Sequence, residues 1–364
     1  MPKVSIIIPV YNAEAFIDTA IQSLRVQTLE DCEFIFVNDG SKDNSSAIIE
    51  RYTKVDDRIK LINQHNQGIS IARNNGINIA TGDYITFMDN DDYVKPDMYK
   101  TLYDAAKTLT LDIVVSKTLL GRDDKYILKE AVFPEGIIYD NSFIQDNIIP
   151  SLLKEEDMFA VWNKLYNRDF IERHFVRFPS NREIEEDSMF NFAAFNKAQR
   201  VQFIDYSGYY YRNVSVNESR KFIERDYFAR AAERYQFDYK TFFDLPIASK
   251  EADRLKAIRF IHRVFYLIFS CALQKGTAAN VRYAYIKNMM LSTNVQYVIS
   301  HYSASELEVE GRFQKLVFGI LRKKSGAGLS ILVKAIQFFY SPKLSELLRK
   351  LNKTGTGGVV YHDA

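Results

Sequence analysis

The chain has 364 residues, more than one hydrophobic core usually serves, so two or three domains are expected. Hydrophobic residues at 47% and charged residues at 26% describe a soluble globular protein, and 48 basic against 46 acidic residues give no reason to expect nucleic acid as a partner. Two cysteines, Cys32 and Cys271, cannot make a disulfide framework and suit a reducing cytoplasm; no signal-peptide pattern precedes the first strand, and no apolar run of about 18 residues calls for a spanning helix. The sequons at Asn44, Asn213 and Asn217 then carry no weight.

Val4 to Val10 is almost continuously apolar, as strands buried on both faces of a parallel sheet are. Asn12 is placed to cap a first helix, with Glu14 in its first turn and Ile17, Ile21 and Leu24 at helical spacing to about Gln27. Glu33 to Val37 reads as strand two, with the exit turn Asn38-Asp39-Gly40-Ser41, and Asp43 caps a second helix. Ile59 to Ile62 is strand three, and Gln67-Gly68 opens a third helix from Ile69 to Ala80. Tyr84 to Met88 is strand four, Pro96 starts another helix, and Asp112 to Ser116 is strand five. This alternation with short joins predicts a doubly wound, mostly parallel α/β sheet.

Asp89-Asn90-Asp91-Asp92 leaves strand four. Three carboxylates in four positions repel one another unless a cation sits between them, and a hard divalent ion with a diphosphate would serve; an acidic turn facing water is the plainer alternative. Tyr11, Asp39 and Asp89 all fall at the carboxyl ends of strands, where open α/β sheets bind ligands. Arg73, on the helix that Gly68 opens, supplies positive charge, and a helix N-terminus with a guanidinium favours phosphate, although an exposed surface arginine would fit the same position. No Gly-x-Gly-x-x-Gly follows strand one, no Walker loop exists, and the five histidines lack zinc spacing. Ser325-Gly326-Ala327-Gly328 reads as a hinge and Thr354-Gly355-Thr356-Gly357-Gly358 as a loose tail.

Together, Ser5-Ile6-Ile7-Ile8-Pro9-Val10-Tyr11-Asn12, Val37-Asn38-Asp39-Gly40-Ser41, Asn66-Gln67-Gly68 with Ala72-Arg73-Asn74-Asn75-Gly76, and Asp89-Asn90-Asp91-Asp92 resemble the inverting glycosyltransferase family 2, which has the GT-A fold. The resemblance covers about the first third of the chain closely. It implies a nucleotide-sugar donor, usually uridine diphosphate-linked, and a Mn²⁺ or Mg²⁺ ion. Pro9, Tyr11 and Glu14 would line the nucleoside, Asp39 would accept from the uracil ring, and Asp89 would touch the ribose. Asp91 would bind the metal, and Arg73 would approach the diphosphate; Gly68 and Asn90 belong to the same donor-binding motifs.

Farther along, Trp162 and Lys164 lie in Phe159-Ala160-Val161-Trp162-Asn163-Lys164-Leu165-Tyr166. A similar stretch lines the acceptor side in related bacterial enzymes; simple core packing of Trp162 is the alternative. In Arg182-Glu183-Ile184-Glu185-Glu186-Asp187 the acids open a helix, where the dipole alone would favour them. The family places its catalytic base in such a stretch, and since adjacent helical residues point about 100° apart, Glu186 and Asp187 are not expected to share that role equally. Asp187 is the expected base and Glu186 the substitute. Arg212, followed by Ser215, is expected to reach the donor phosphates or to form a structural salt bridge.

The expected layout is a GT-A domain over 1–220, with a nucleotide-sugar-binding half (1–116) and an acceptor-side half (117–220), then a helical region over 221–310 and a basic amphipathic segment with a flexible tail over 311–364. From Arg312 to Lys353 ten basic residues face one acid, Glu346, with apolar runs between them. Such a segment suits an anionic membrane surface; RNA, a partner helix or a structural cap are the rivals. The function this reading predicts is metal-dependent inverting glycosyl transfer from a nucleotide-sugar donor to a glycan or lipid-linked acceptor, in the cytoplasm, with docking on the inner membrane face open. A nucleotide-sugar-binding module without catalysis and a sugar-phosphate nucleotidyltransferase are the alternatives.

Overall fold

The structure is a computed structural model that describes residues 1–122, 125–180, 185–212 and 221–340. Arg182 to Ile184, Asn213, Ser215, Asn217, the 354–358 glycine run and the basic residues beyond Tyr340 lie outside the described residues. The chain divides into two compact units, Met1–Ser215 with Asp238–Ala252, and Val216–Phe237 with Asp253–Ala364.

The first unit opens as β1 (Val4–Val10), α1 (Ile17–Arg25), β2 (Cys32–Asp39), α2 (Ser45–Thr53), β3 (Ile59–Gln64), α3 (Ile69–Ile79) and β4 (Tyr84–Phe87). It continues with β5 (Tyr93–Val94), α4 (Met98–Leu109), β6 (Ile113–Arg122), β7 (Lys125–Lys129) and β8 (Ile138–Asp140). Then come α5 (Asn141–Phe143), a π turn (Ile144–Ile148), α6 (Ile149–Lys154), β9 (Lys164–Asn167), α7 (Arg168–Arg173), α8 (Glu186–Lys197) and β10 (Arg200–Arg212). One sheet runs β3-β2-β1-β4-β9-β6-β10-β5. Its first four strands are parallel, with burial unbroken along β1, β2 and β4, whereas β9 pairs antiparallel with both β4 and β6. Beyond β9 the long β10 runs parallel to β6. Every residue of β1 and β2 is buried.

Two local details depart from the sequence pattern. The first helix starts at Ile17, not after Asn12. Asn12 adopts a left-handed backbone (φ 50°), and its side-chain oxygen accepts from the Lys42 N–H at 2.8 Å while its own N–H donates to Ser41 at 3.0 Å. It therefore stitches the β1 and β2 exit loops together. Gly76 on α3 faces Ile7 so closely that a Cβ would stand 2.3 Å from a methyl of that residue, which explains glycine inside this helix.

The second unit is helical: α9 (Tyr227–Gln236), most of α11 (Ser249–Leu273), α12 (Ala279–Leu291), α13 (Thr293–His301), α14 (Gly311–Arg322) and α15 (Gly326–Phe339); α10 (Tyr239–Phe243) belongs to the first unit. Between 227 and 243 the chain forms two helices, because Asp238 accepts from the Thr241 N–H and starts a new one. Phe260, Val264, Leu267, Ile268 and Cys271 are buried as a helical stripe requires. Ser325 is no hinge: its hydroxyl accepts from the Gly328 N–H at 3.0 Å and caps α15. Cys32 and Cys271 are both buried and free. Among the described residues no helix is long and apolar enough to cross a membrane.

Candidate active site

The strand order turns at β1, with β2 on one side and β4 on the other, so the loops leaving β1 and β4 diverge and leave a crevice. A cleft of about 520 Å³ lies there, lined by Pro9, Tyr11, Asp39, Gln67, Gly68 and Asn90 among others. Tyr11 stands exposed at its edge. Asn90 donates to the Pro9 carbonyl at 2.9 Å, fixing one loop to the other. Asp39 is buried, and its carboxylate accepts from the Gln67 and Gly68 N–H groups at 2.8 Å each and from Gln64 at 2.8 Å. Three bonds leave a carboxylate one further lone pair to offer a ligand. Glu14 does not line this cleft: it accepts from the Asn44 backbone and side chain, at 3.2 and 2.7 Å, and braces the neighbouring loop.

The acidic turn is held from behind. The Tyr209 hydroxyl accepts from the Asp89 N–H at 3.1 Å and donates to Asp92 at 2.8 Å, while the Arg212 N–H donates to Asp92 at 2.7 Å. Burial, then the charges of Asp89 and Asp91, push the Asp92 carboxyl up to about 8. Asp91 is raised for the same two reasons, burial first and then Asp89. Among the described residues no other group bonds the Asp91 carboxylate, and no cluster of three or more His, Cys, Asp or Glu side chains with metal-binding geometry occurs. A carboxylate with no partner but its own N–H among the described residues, raised by burial and then by a neighbouring like charge, fits a hard divalent cation, so the residues present suit the implied ion.

Arg73 sits in the interior between the acidic turn and α8. It is 2% exposed, and its guanidinium donates to Asp89 at 3.0 Å, to Asp187 at 2.5 Å and to Glu186 at 3.1 Å, with its charge also over the Phe178 ring. Burial works against that charge, and the three carboxylates outweigh it, so its pKa is raised. Three acids surround it, so it is not the exposed surface arginine that its position also allowed. Glu186 and Asp187, expected to diverge, meet the same nitrogen. They still differ in setting, because Asp187 lines a second cavity, of about 310 Å³, and Glu186 does not. Burial pushes the Asp187 carboxyl up to about 7, with Arg73 opposing and Glu186 and Asp89 adding. A carboxylate titrating there is matched to general-base work near neutrality.

Trp162 lines the same second cavity, half-buried and stacked on Tyr209 and Tyr211 with ring centroids at 4.4 and 5.7 Å. Lys164 borders it too, and its ammonium is taken up by acceptors of the protein itself. The residue is fully buried, donates to the Met158 carbonyl at 3.0 Å, to the Ala160 carbonyl and to the Asn163 side chain at 3.1 Å, and is pushed down to about 7 by burial. Asn191, on the helix of Asp187, donates to the Phe159 carbonyl at 2.6 Å and accepts from the Tyr166 hydroxyl at 2.8 Å. Lys164 thus ties 158–160 to β9, and Asn191 ties 159–160 to α8. Arg212 donates to the Asp91 carbonyl and lies over Phe16 and Tyr93, and its Nη2 is buried with no partner. The expected salt bridge is absent among the described residues, and that orphan nitrogen suits an anion.

Tyr209 and Asn191 escaped the sequence reading. Three consecutive tyrosines at 209–211 are the only signal for the first, and nothing marks the second.

A mixed sheet with a ligand cleft at its switch point, an acidic turn beside it and a helix-borne carboxylate pair define an α/β domain of the GT-A type. Residues 5–175 match the family model Glycosyl transferase family 2, and this segment of the chain belongs to that family. Among curated proteins, the chain is 40% identical over 215 residues to the uncharacterized glycosyltransferase EpsJ of Bacillus subtilis, covering 58% of this chain and 61% of that protein. It is 37% identical over 220 residues to the putative glycosyltransferase EpsH of the same organism, again covering 58% and 61%. The chain therefore spans about three-fifths of the length of these relatives. Among solved structures, S. aureus TarS 1-349 in complex with UDP-GlcNAc superposes with a TM-score of 0.61 at 18% identity, over 92% of this chain and 91% of that one, a likeness of fold.

Proposed function

We propose that this chain is a metal-dependent inverting glycosyltransferase that moves a hexosyl or N-acetylhexosaminyl group from a UDP-sugar to a glycan or lipid-linked saccharide in bacterial surface-polysaccharide synthesis. It would work in the cytoplasm or on the inner face of the membrane. The observation that carries the reading is the placement of Asp187: it lines one cavity and is joined through Arg73 to Asp89 beside the other. The TarS complex with UDP-GlcNAc and the family of residues 5–175 support the donor class.

In this mechanism the cleft with Pro9, Tyr11, Asp39, Gly68 and Asn90 holds the nucleoside, and Asp89 reaches the ribose. Trp162 offers a flat face to the acceptor sugar. Asp187 takes the acceptor hydroxyl proton as that oxygen bonds to the anomeric carbon from the face opposite the leaving group; the bond to the diphosphate breaks and its electron pair leaves with the nucleotide. A Mn²⁺ or Mg²⁺ held by Asp91 would supply Lewis-acid stabilisation of the negative charge on that diphosphate. The Arg212 Nη2, buried without a partner among the described residues, would donate to the same group. Arg73 holds Asp187 and Glu186 in register with Asp89 and keeps the base from drifting.

The test is product analysis with a panel of UDP-sugars. Free UDP is expected; pyrophosphate would indicate nucleotidyl transfer, and binding without release would indicate a module without catalysis. Thermal shift with UDP should rise when Mn²⁺ is added, with about 2.7 kcal/mol of stabilisation at a hundred times the dissociation constant. Asp91→Asn should remove the metal-dependent part of that shift. No response to any nucleoside diphosphate would overturn the assignment.

A further inference from the structure

Phe318, Ile320, Leu332, Ile336, Phe338 and Phe339 are interleaved with the basic residues from Arg312 onward. The fold sorts them: Phe318, Leu332 and Ile336 are buried in the helical unit, and of these Leu332 and Ile336 line a groove there. More exposed apolar side chains border the same groove. Tyr266 of α11, Phe313 and Leu316 of α14, and Phe339 and Tyr340 at the end of α15 are all exposed and all line one groove of about 570 Å³. Ile331 and Phe338, 69% and 64% exposed, continue the apolar surface along α15, with Lys334 between them on the same stripe. Spacings of three and four residues place them on one face of the helix.

Charge narrows what can cover this surface. Arg312, Lys315, Arg322, Lys323, Lys324 and Lys334 are all exposed, and among the described residues from 312 to 340 there is no acid. None of the six has an ion-pair partner among the described residues. A second copy of the chain would set like charges against each other, which is costly. A bilayer with anionic headgroups meets both halves of the pattern, because apolar and aromatic side chains settle at the headgroup–acyl boundary while lysine and arginine reach the phosphates. We propose that the α11–α14–α15 groove and its basic rim form a docking surface for an anionic lipid bilayer, which binds reversibly without a spanning helix. Its purpose rests on the transferase reading, through a lipid-linked acceptor, but its test does not.

The test is co-sedimentation of the full chain with phosphatidylglycerol-containing vesicles and with pure phosphatidylcholine vesicles. Binding to the first, weakened by salt, and little binding to the second is the expected result. Each basic residue near the surface multiplies partition by about fivefold, so Lys315→Glu with Lys323→Glu and Lys334→Glu should lower it by at least a hundredfold, on the order of the product of the three losses. Ile331→Ser with Phe338→Ser should also weaken binding, and because these side chains are exposed the helical fold should survive, as circular dichroism checks. The proposal is overturned if full-length protein ignores anionic vesicles at low salt. It is overturned equally if both sets of variants bind like the parent, or if light scattering shows a dimer that the Ile331→Ser, Phe338→Ser variant dissolves. The nucleotide thermal shift is read in parallel, so loss of docking with that shift intact leaves the transferase assignment standing.

Discussion

In the β3-β2-β1-β4 half of the first unit's sheet, each candidate ligand-binding loop is the direct continuation of its own parallel strand. Tyr11 leaves β1, Asp39 closes β2, and Asp89 follows β4. In the β9-β6-β10 half the chemistry is assembled from separated pieces: Trp162 precedes β9, Tyr209 lies late in β10, and Asp187 starts a helix that belongs to neither strand. The difference teaches where sequence spacing carries information. A parallel strand and its exit loop move together, so the motif is local; an antiparallel insertion brings together side chains whose separation along the chain says nothing about their distance in space. Arg73 joins the two halves, and the buried ion pairs it makes run from α3 to the turn after β4 and to α8.

The largest expected effect separates the halves by function. Asp187→Asn should leave UDP binding in the thermal shift unchanged and lower transfer by about 10²–10⁴-fold, the usual contribution of a general base. The rate of the parent should rise with pH through about 7, because the base must be deprotonated and burial places it there; the variant should lose that limb. Full turnover in Asp187→Asn alongside a dead Glu186→Gln would move the role one residue back.

Next in size is the joint between the halves. Arg73→Met leaves Asp89, Glu186 and Asp187 without their shared cation, and breaking a buried pair from one side costs about 3–5 kcal/mol. Urea denaturation should report that loss. An unchanged midpoint would mean the two halves do not depend on this residue.

Smaller again is Lys164→Met, which tests the antiparallel half alone. The Met158 and Ala160 carbonyls lose a donor, at about 1–3 kcal/mol. Since the same segment leads to Trp162, the KM for acceptor should rise more than the KM for donor; equal changes would make Lys164 a purely structural residue.

The smallest effect is pH-dependent and belongs to the parallel half. Glu33 is buried at the opposite end of β2 from Asp39, accepts from Ser5, from the Thr81 N–H and hydroxyl, from Gly82 and from Lys60, and is held below the usual glutamate value; burial pulls it up and these bonds more than offset that. A lowered carboxyl stabilises the fold above the unfolded-state value of about 4.3 and loses that contribution as pH falls through its folded value. The melting-temperature gap between the parent and Glu33→Gln should therefore be open at pH 7 and close below about pH 4. A gap that stays constant with pH would assign it to packing, not charge.

The sequence by itself determined the alternation of strands and helices through Ser116, the turns that carry Tyr11, Asp39 and Asp89, and the placing of Glu186 and Asp187 in a helix's first turn. All of these follow from local periodicity and from polar residues at strand ends, which spacing along the chain expresses. Only the tertiary structure decided that Arg73 is buried among three carboxylates, that Glu14 and Asn12 brace loops and do not face the cleft, that Lys164 points into the protein, and that Tyr209 supports the acidic turn from 120 residues away in the chain. It also decided which apolar residues of α14 and α15 face outward, because a charge run and its apolar neighbours fix an amphipathic helix but not the side from which the rest of the unit covers it. The physical reason is the same in each case: a side chain's burial and its partners depend on which distant element packs against it, and no window of sequence contains that element.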